Sequence, residues 1–411
     1  MHVTTTHIIN AHILDAASGH LQPKQCLSIH GCHIKTVCDG IPDEPPADIT
    51  LDAAGRVAMP GLCDAHVHIT AATPDFVALR HWPPSYVAAH TAEILKGMLM
   101  RGFTTVRDAG GADFGYAQAI EEGLIIGPRL LFCGHAISQT GGHGDMRLPG
   151  DDHTDHCFCC SGLGKVCDGV AEVRRACRDE IRKGAHQIKL MVSGGVASPT
   201  DRITSTQFAE DEIQAAVEEA EAANRYVMAH AYTNRAIMRA LTCGVRSIEH
   251  GNLIAQKGIE LLKQKQAYLV PTLSTYDRLA REGVEAGMPA ALQKKVYSVL
   301  DAGIQALEAA WQANANIVFG TDLLGSMHKS QLQEFTIRRE IIPNTELIQS
   351  ATIKAAELFN LSNEIGTLAE GYRADLLILD GNPLEDINIL QQPERYLNVI
   401  MKDGRIYKNT L

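Results

Sequence analysis

The sequence contains no run of 18 or more apolar residues, so no membrane-spanning helix is expected. Met1 to Asn10 lacks a basic stretch followed by an apolar one, so no secretory signal is expected either. Positive charge is not in excess. Lys and Arg number 37 against 48 Asp and Glu, a formal net charge of −11. A nucleic-acid-binding face or an anionic-membrane face is therefore not expected. No Gly-x-Gly-x-x-Gly follows the first apolar run, and no Gly-x-x-x-x-Gly-Lys-Ser/Thr occurs, which removes the two common phosphate-cradling loops. What is present is ordinary for a globular chain: 45% hydrophobic and 21% charged residues exclude a disordered or fibrous one. Histidine and cysteine stand out, with 18 and 11 copies. Cys63, Cys133, Cys177 and Cys243 sit singly in apolar stretches and read as buried thiols of a cytoplasmic protein. Cys157, Cys159, Cys160 and Cys167 fall in a stretch rich in Gly, Asp and His that reads as a loop over an active site. A structural zinc site is the alternative there, although the usual two-pair spacing is missing.

At about 150 residues per domain, 411 residues suggest two or three domains. The two ends look alike. His7–Leu14, Cys26–His30 and His33–Val37 are short β-type runs, and so are Ala374–Leu379, Leu397–Met401 and Arg405–Tyr407. Turn pairs such as Ser18-Gly19, Asp39-Gly40, Asp380-Gly381 and Asp403-Gly404 punctuate them. This predicts one small β-sandwich domain built from residues 1–58 and 365–411. The middle, residues 59–364, alternates apolar runs with helical stretches. Eight runs are legible: Gly61–Val67, Thr104–Asp108, Arg129–Cys133, Gln187–Val192, Tyr226–Ala231, Ser247–His250, Tyr268–Thr272 and Ile317–Thr321. Val170–Lys183 and Glu210–Asn224 read as helices. In the second, Ile213, Ala216, Val217 and Ala220 form an i, i+3, i+4, i+7 stripe. Eight strand–helix units in about 300 residues predict a (β/α)8 TIM barrel, with a doubly wound sheet as the alternative.

The residues suited to metal binding fall at the ends of these runs. The first ends in Asp64-Ala65-His66-Val67-His68, the fifth in His230-Ala231-Tyr232, the sixth in Glu249-His250, the eighth in Gly320-Thr321-Asp322, and the fourth carries Lys189. In a barrel the C-terminal strand ends converge on one mouth. His66 and His68 share one face by the period of 2. Imidazole and carboxylate are the ligands zinc, manganese and iron take. Lys189, inside Gln187-Ile188-Lys189-Leu190-Met191, is costly to bury as an unpaired ammonium. It reads as a salt-bridge partner, as a lysine of lowered pKa, or as a carbamate formed with carbon dioxide.

These motifs, with Met59-Pro60-Gly61-Leu62-Cys63-Asp64 before the histidines and Gly371-Tyr372-Arg373-Ala374-Asp375 and Lys402-Asp403-Gly404-Arg405 near the end, resemble the amidohydrolase superfamily. Thr105–Gly111, Thr140–Asp145 and Lys189–Gly195 resemble its branch of binuclear-metal dipeptidases and carboxypeptidases, which includes prolidase-like Xaa-Pro and Xaa-Arg/Lys dipeptidases and ochratoxin-type amidases. The resemblance implies two divalent ions, zinc being expected. His66, His68 and Asp322 would hold the buried one and His230 and His250 the exposed one, bridged by N-carboxylated Lys189. It places His143 and Tyr232 at the substrate, although some relatives carry His where this chain has Tyr232. The implied reaction is amide hydrolysis, with Asp322 moving a proton from water to the leaving nitrogen. The implied substrate is a dipeptide or N-acyl amino acid with a free carboxylate, held by a cation chosen from Arg202, His143, Arg107 and His328. An imidazolonepropionase-like hydrolase of cyclic amides or amidines is the alternative. A phosphotriesterase or lactonase shares the two-metal logic. Relatives also suggest an even-numbered homo-oligomer acting on small molecules.

Overall fold

Turn residues set where the strands at the chain ends break. Asp403 and Gly404, at φ 49° and 72°, connect Leu397–Lys402 to Arg405–Asn409, with Lys402 opposite Arg405. Positive φ at both central positions is the type I′ geometry, whose twist matches that of the flanking strands. The computed structural model describes residues 3–40, 46–152 and 163–411; Cys157, Cys159 and Cys160 lie outside them. The chain divides into two compact units.

The first unit comprises Met1–Asp64, Lys96–Thr105 and Phe335–Leu411. Both chain ends enter one eight-stranded sheet in the order Arg405–Asn409, Leu397–Lys402, Leu376–Leu379, Val57–Pro60, Thr5–Asp15, His20–His30, His33–Asp39, with Ile49–Asp52 also paired to Thr5–Asp15. Ile8, Leu27 and Ile29 from one end pack in a single core with Ile378, Val399 and Met401 from the other. Their strand neighbours Cys26, Ser28, Leu377 and Ile400 are buried as well, so this part of the sheet is covered on both faces.

The second unit, Ala65–Leu95 and Val106–Glu334, is α/β with parallel strands. Each of the eight runs read from the sequence overlaps a strand. Leu62–Val67, Phe103–Asp108 and Arg129–Leu131 form a three-stranded sheet. Gly164–Val166, Ala136–Ser138, Ile188–Met191, Val227–Thr233, Ser247–Leu253, Tyr268–Val270 and Asn316–Ile317 form a seven-stranded one. Backbone bonds also run between the two sheets. His186 N donates to Phe132 O at 2.8 Å, Ala65 N to Phe319 O at 2.9 Å, and Asp322 N to His66 O at 2.8 Å. Leu62–Val67, Phe103–Asp108 and Ile188–Met191 are buried at every position, as parallel strands covered on both faces are. The helix Glu210–Ala222 buries Ile213, Ala216, Val217 and Ala220, the predicted stripe.

The short strands Ala136–Ser138 and Gly164–Val166 have no counterpart in the sequence reading. At three residues each, beside a Gly-rich stretch, they carry no alternation to detect. The eighth strand, Asn316–Ile317, shares only Ile317 with the predicted Ile317–Thr321. Gly320 shows why the chain runs so close here. A Cβ at this position would lie 2.3 Å from Val270 Cγ1 and 3.1 Å from His66 Cβ. Replacing Gly320 by Ala should destabilise the protein by about 1–3 kcal/mol through overpacking. A thermal or denaturant midpoint equal to that of the parent chain would contradict this packing.

Candidate metal centre

Six polar side chains converge where these strands end. His66 lies in Leu62–Val67 and His68 directly after it, Lys189 lies in Ile188–Met191, His230 in Val227–Thr233, His250 in Ser247–Leu253, and Asp322 follows Asn316–Ile317. His66, His68, Lys189, His230 and His250 are all buried. Ligand atoms of His66, His68 and Asp322 lie within 4.8 Å of one another. Asp322 Oδ1 is 3.4 Å from His66 Nε2 and 3.3 Å from His68 Nε2, and Oδ2 is 3.9 Å from His250 Nδ1. The rings pack closely: His66 to His250 at 4.9 Å between centroids, and His230 to His250 at 4.7 Å.

Hydrogen bonds on the far side of each ring set which nitrogen faces inward. His66 Nδ1 donates to Glu249 Oε2 at 2.7 Å and His68 Nδ1 to Gly110 O at 2.9 Å. Each therefore presents its Nε2 lone pair to Asp322. His250 Nδ1 bonds Thr272 Oγ1 at 2.8 Å, which leaves its Nε2 as the donor atom. His230 is reversed: its Nε2 donates to Gly194 O at 3.2 Å, which leaves Nδ1. Two imidazole lone pairs and a carboxylate oxygen meeting at one point are all electron-pair donors. A cation between them is what such a donor set fits.

Burial drives the electrostatics. It pushes the His230 and His250 imidazolium forms well below their ordinary range, so both rings are neutral at pH 7. It likewise lowers Lys189, against the pull of Glu249 and Asp322. Burial would raise Asp322, but the neighbouring His66, His68 and His250 outweigh it and hold the carboxyl well below the usual range.

Backbone strain marks the same place. His250, Thr272 and Asp322 adopt left-handed φ values of 74°, 47° and 54°. A regular strand would send Glu249 and His250 to opposite faces. The turn at His250 breaks that alternation, and both side chains meet His66.

Residues 57–406 match the Amidohydrolase family. The chain belongs to this family. It is 34% identical over 365 residues to ochratoxinase of Aspergillus niger, covering 86% of this chain and 76% of that relative. A crystal structure of a prolidase complexed with N-methylphosphonate-L-proline matches with a TM-score of 0.96 and 47% identity, covering 99% of this chain and 100% of that one. A Xaa-Pro dipeptidase with bound methionine in its active site matches with a TM-score of 0.89 and 29% identity over 99% and 100% of the two chains.

In this amidohydrolase two expected substrate contacts lie beside the cluster. The His143 ring stacks on His230 at 4.2 Å and 19°. The Tyr232 ring lies 4.8 Å from His230 and 5.3 Å from His250. Its hydroxyl accepts from the Tyr276 hydroxyl at 2.9 Å, and burial raises its pKa, so it remains a proton donor. The other three candidates are not brought to the cluster in the expected way. Arg202 is exposed on the loop after Ile188–Met191. His328 is buried, with Nε2 bonded to Ala71 O at 3.2 Å. Arg107 is a correction. It was read as a cation near a strand-end loop, but it has no exposed surface and its donors are taken from within. Nε bonds Ala65 O at 2.7 Å, Nη1 bonds Tyr226 Oη at 3.3 Å, and Nη2 bonds Ser247 Oγ at 3.1 Å and Glu249 Oε1 at 3.0 Å. A guanidinium so enclosed serves Glu249, not a ligand.

Glu249, Tyr276 and Asp201 were not singled out from the sequence. Glu249 had a signal, a charged residue inside one of the eight predicted strands. Tyr276 and Asp201 lie on a helix and a loop with no such contrast. Cys167, the described member of the cysteine cluster, is buried, which pushes its thiol up to about 11, so it is no ready thiolate ligand. Replacing Arg107 by Met should cost about 3–5 kcal/mol, because it strands the Glu249 carboxylate. Adding Glu249→Gln should recover part of the loss, and unfolding midpoints of the single and double variants will test this.

Proposed function

We propose that this amidohydrolase cleaves the amide bond of dipeptides or N-acyl amino acids that carry a free C-terminal carboxylate. The observation that carries the reading is the convergence of His66 Nε2, His68 Nε2 and Asp322 Oδ1, with the rings of His230 and His250 packed beside them. The relatives narrow the substrate: a prolidase complexed with a phosphonate of L-proline, a Xaa-Pro dipeptidase and an ochratoxinase. They do not favour the cyclic amide or amidine alternative.

His66, His68 and Asp322 would hold one divalent ion, with zinc the expected metal, and His230 Nδ1 and His250 Nε2 a second. Lys189, buried between them in the strand order, would bridge the two as an N-carboxylate. Its burial and its lowered pKa supply the neutral amine that reacts with carbon dioxide. When bound, two such ions lower the pKa of water and polarise the scissile carbonyl. The protein's own part is proton and substrate handling. Asp322 accepts a proton from the attacking water at Oδ2, the oxygen turned away from His66 and His68, and delivers it to the leaving nitrogen. Amines leave poorly unless protonated, so amide cleavage needs this transfer. Tyr232 directs its hydroxyl, fixed by Tyr276, at the substrate carbonyl, and His143 lines the other side of His230. Arg202 is the exposed cation available for the substrate carboxylate, and His328 takes no direct part.

The same reading has the parallel strands close into a (β/α)8 barrel over residues 59–364, supported by the bonds from Ala65 and Asp322 N across the first and last strands. Residues 1–58 and 365–411 form the β-sandwich domain. We assign the chain to the cytoplasm, supported by the unbridged, buried thiols of Cys133, Cys177 and Cys243. We expect an even-numbered homo-oligomer that binds small molecules and neither nucleic acid nor membrane. Among the described residues no helix is long and apolar enough to cross a membrane.

Two measurements test the chemistry. A panel of Xaa-Pro and other dipeptides and N-acyl amino acids should be hydrolysed, with the C-terminally amidated forms slower by at least about tenfold, the scale of one lost charged contact; equal rates would remove carboxylate recognition. Asp322→Asn should lower kcat by about 10²–10⁴. Near-parental turnover with full metal content would show that Asp322 moves no proton.

A further inference from the structure

One cation close to the candidate site has no part in the reaction outlined above. Lys295 lies in the first turn of the helix Gln293–Gln312. A cation at that end opposes the helix dipole, so helix stability does not account for it. Its Nζ donates to the carbonyls of Gly195 at 3.1 Å, Ser198 at 3.0 Å and Asp201 at 2.8 Å, and lies 3.3 Å from Asp201 Oδ1. An ammonium has three protons. Here four oxygens from one short loop surround it, much as oxygens surround a metal ion.

That loop carries no helix or strand and is closed by a single bridge between Ser193 and Thr206. Its second anchor is the buried Asp201 carboxylate. It accepts from Gly195 N at 3.2 Å, from Gln207 Nε2 at 3.1 Å and from the Ser198 hydroxyl, and lies 3.4 Å from His143 Nδ1. Gln207 Oε1 in turn accepts from His143 N at 2.9 Å. Gly195 makes the closest approach. A Cβ there would lie 2.2 Å from His143 Cε1, so the imidazole rests directly on the loop backbone. The other face of that imidazole stacks on His230. The loop therefore touches His143 on one face and at one edge, and Lys295 gathers the loop.

We propose that Lys295 is a positioning residue: by drawing Gly195, Ser198 and Asp201 around its ammonium it seats the His143 imidazole against His230 and so shapes the substrate side of the centre. This rests on the reading of His143 as a substrate contact. Lys295 touches no substrate and acts only through the loop.

The test is a double-mutant cycle on the full-length, metal-loaded enzyme with Lys295→Met, His143→Ala and the double variant. Lys295→Met should raise KM about tenfold, with kcat changed less than about threefold, because His143 supports bound substrate and transition state alike. In the His143→Ala background the same change should alter kcat/KM by less than about twofold. A parental KM in Lys295→Met, or effects that multiply in the double variant, would overturn the proposal. Should Lys295→Met fail to fold, Lys295→Gln, which keeps two donors without the charge, takes its place in the cycle. If the parent enzyme cleaves nothing on the substrate panel, the functional reading fails and hydrogen exchange decides this one. Lys295→Met should speed exchange in residues 139–145 as well as 193–205, and unchanged exchange in 139–145 would overturn the positioning role.

Discussion

The Glu249 carboxylate has no exposed surface and is nonetheless ionised. Burial would raise its pKa, but Arg107, His66 and Lys189 hold it down to about 2. A buried charge survives only when its oxygens are filled by good donors. Here one oxygen takes His66 and the other takes Arg107 and Ser247. His66 lies on the first strand, Arg107 on the second, and Glu249 with Ser247 on the sixth. Satisfying one carboxylate thus ties three strands together below the candidate centre. The same bond turns His66 Nε2 toward Asp322. The placement of the strands and the choice of imidazole nitrogen are one constraint.

The other side of the centre is organised by backbone geometry. Left-handed φ turns the chain sharply at His250, within its strand, and at Thr272 and Asp322, beyond the next two. Such conformations cost energy and persist only when the surroundings over-determine them. Each is so held: His250 and Thr272 bond each other, and Asp322 N is bonded to His66 O. Regular strand geometry would have sent adjacent side chains apart. The turns let consecutive residues serve one centre, which is why Glu249 and His250 both reach His66.

Much of this was legible before any coordinates. The eight apolar runs, the two helical stretches and the β-rich ends rest on local periodicity and turn chemistry, which act within a few residues. The six polar residues at strand ends stand out because an apolar run that finishes in His or Asp is unusual for a purely structural strand. Arg107 shows the limit. It also sits at a strand end, and nothing local distinguishes a guanidinium that meets a ligand from one that meets a buried carboxylate on another strand. Asp201 and Lys295 show the same limit from the other side, as ordinary loop and helix residues whose role depends on what packs against them.

The sequence by itself determined the alternation of strands and helices, the pairing of the two chain ends by composition, and the set of donor residues, because each follows from short-range pattern. Only the tertiary structure decided which nitrogen each histidine presents, which charge is spent inside the protein, and what holds His143. Those depend on partners far apart in the chain: His66 and Glu249 are 183 residues distant. Hydrogen bonds and ion pairs act over a few ångströms of space, and no local pattern reveals which distant residues folding brings within that reach.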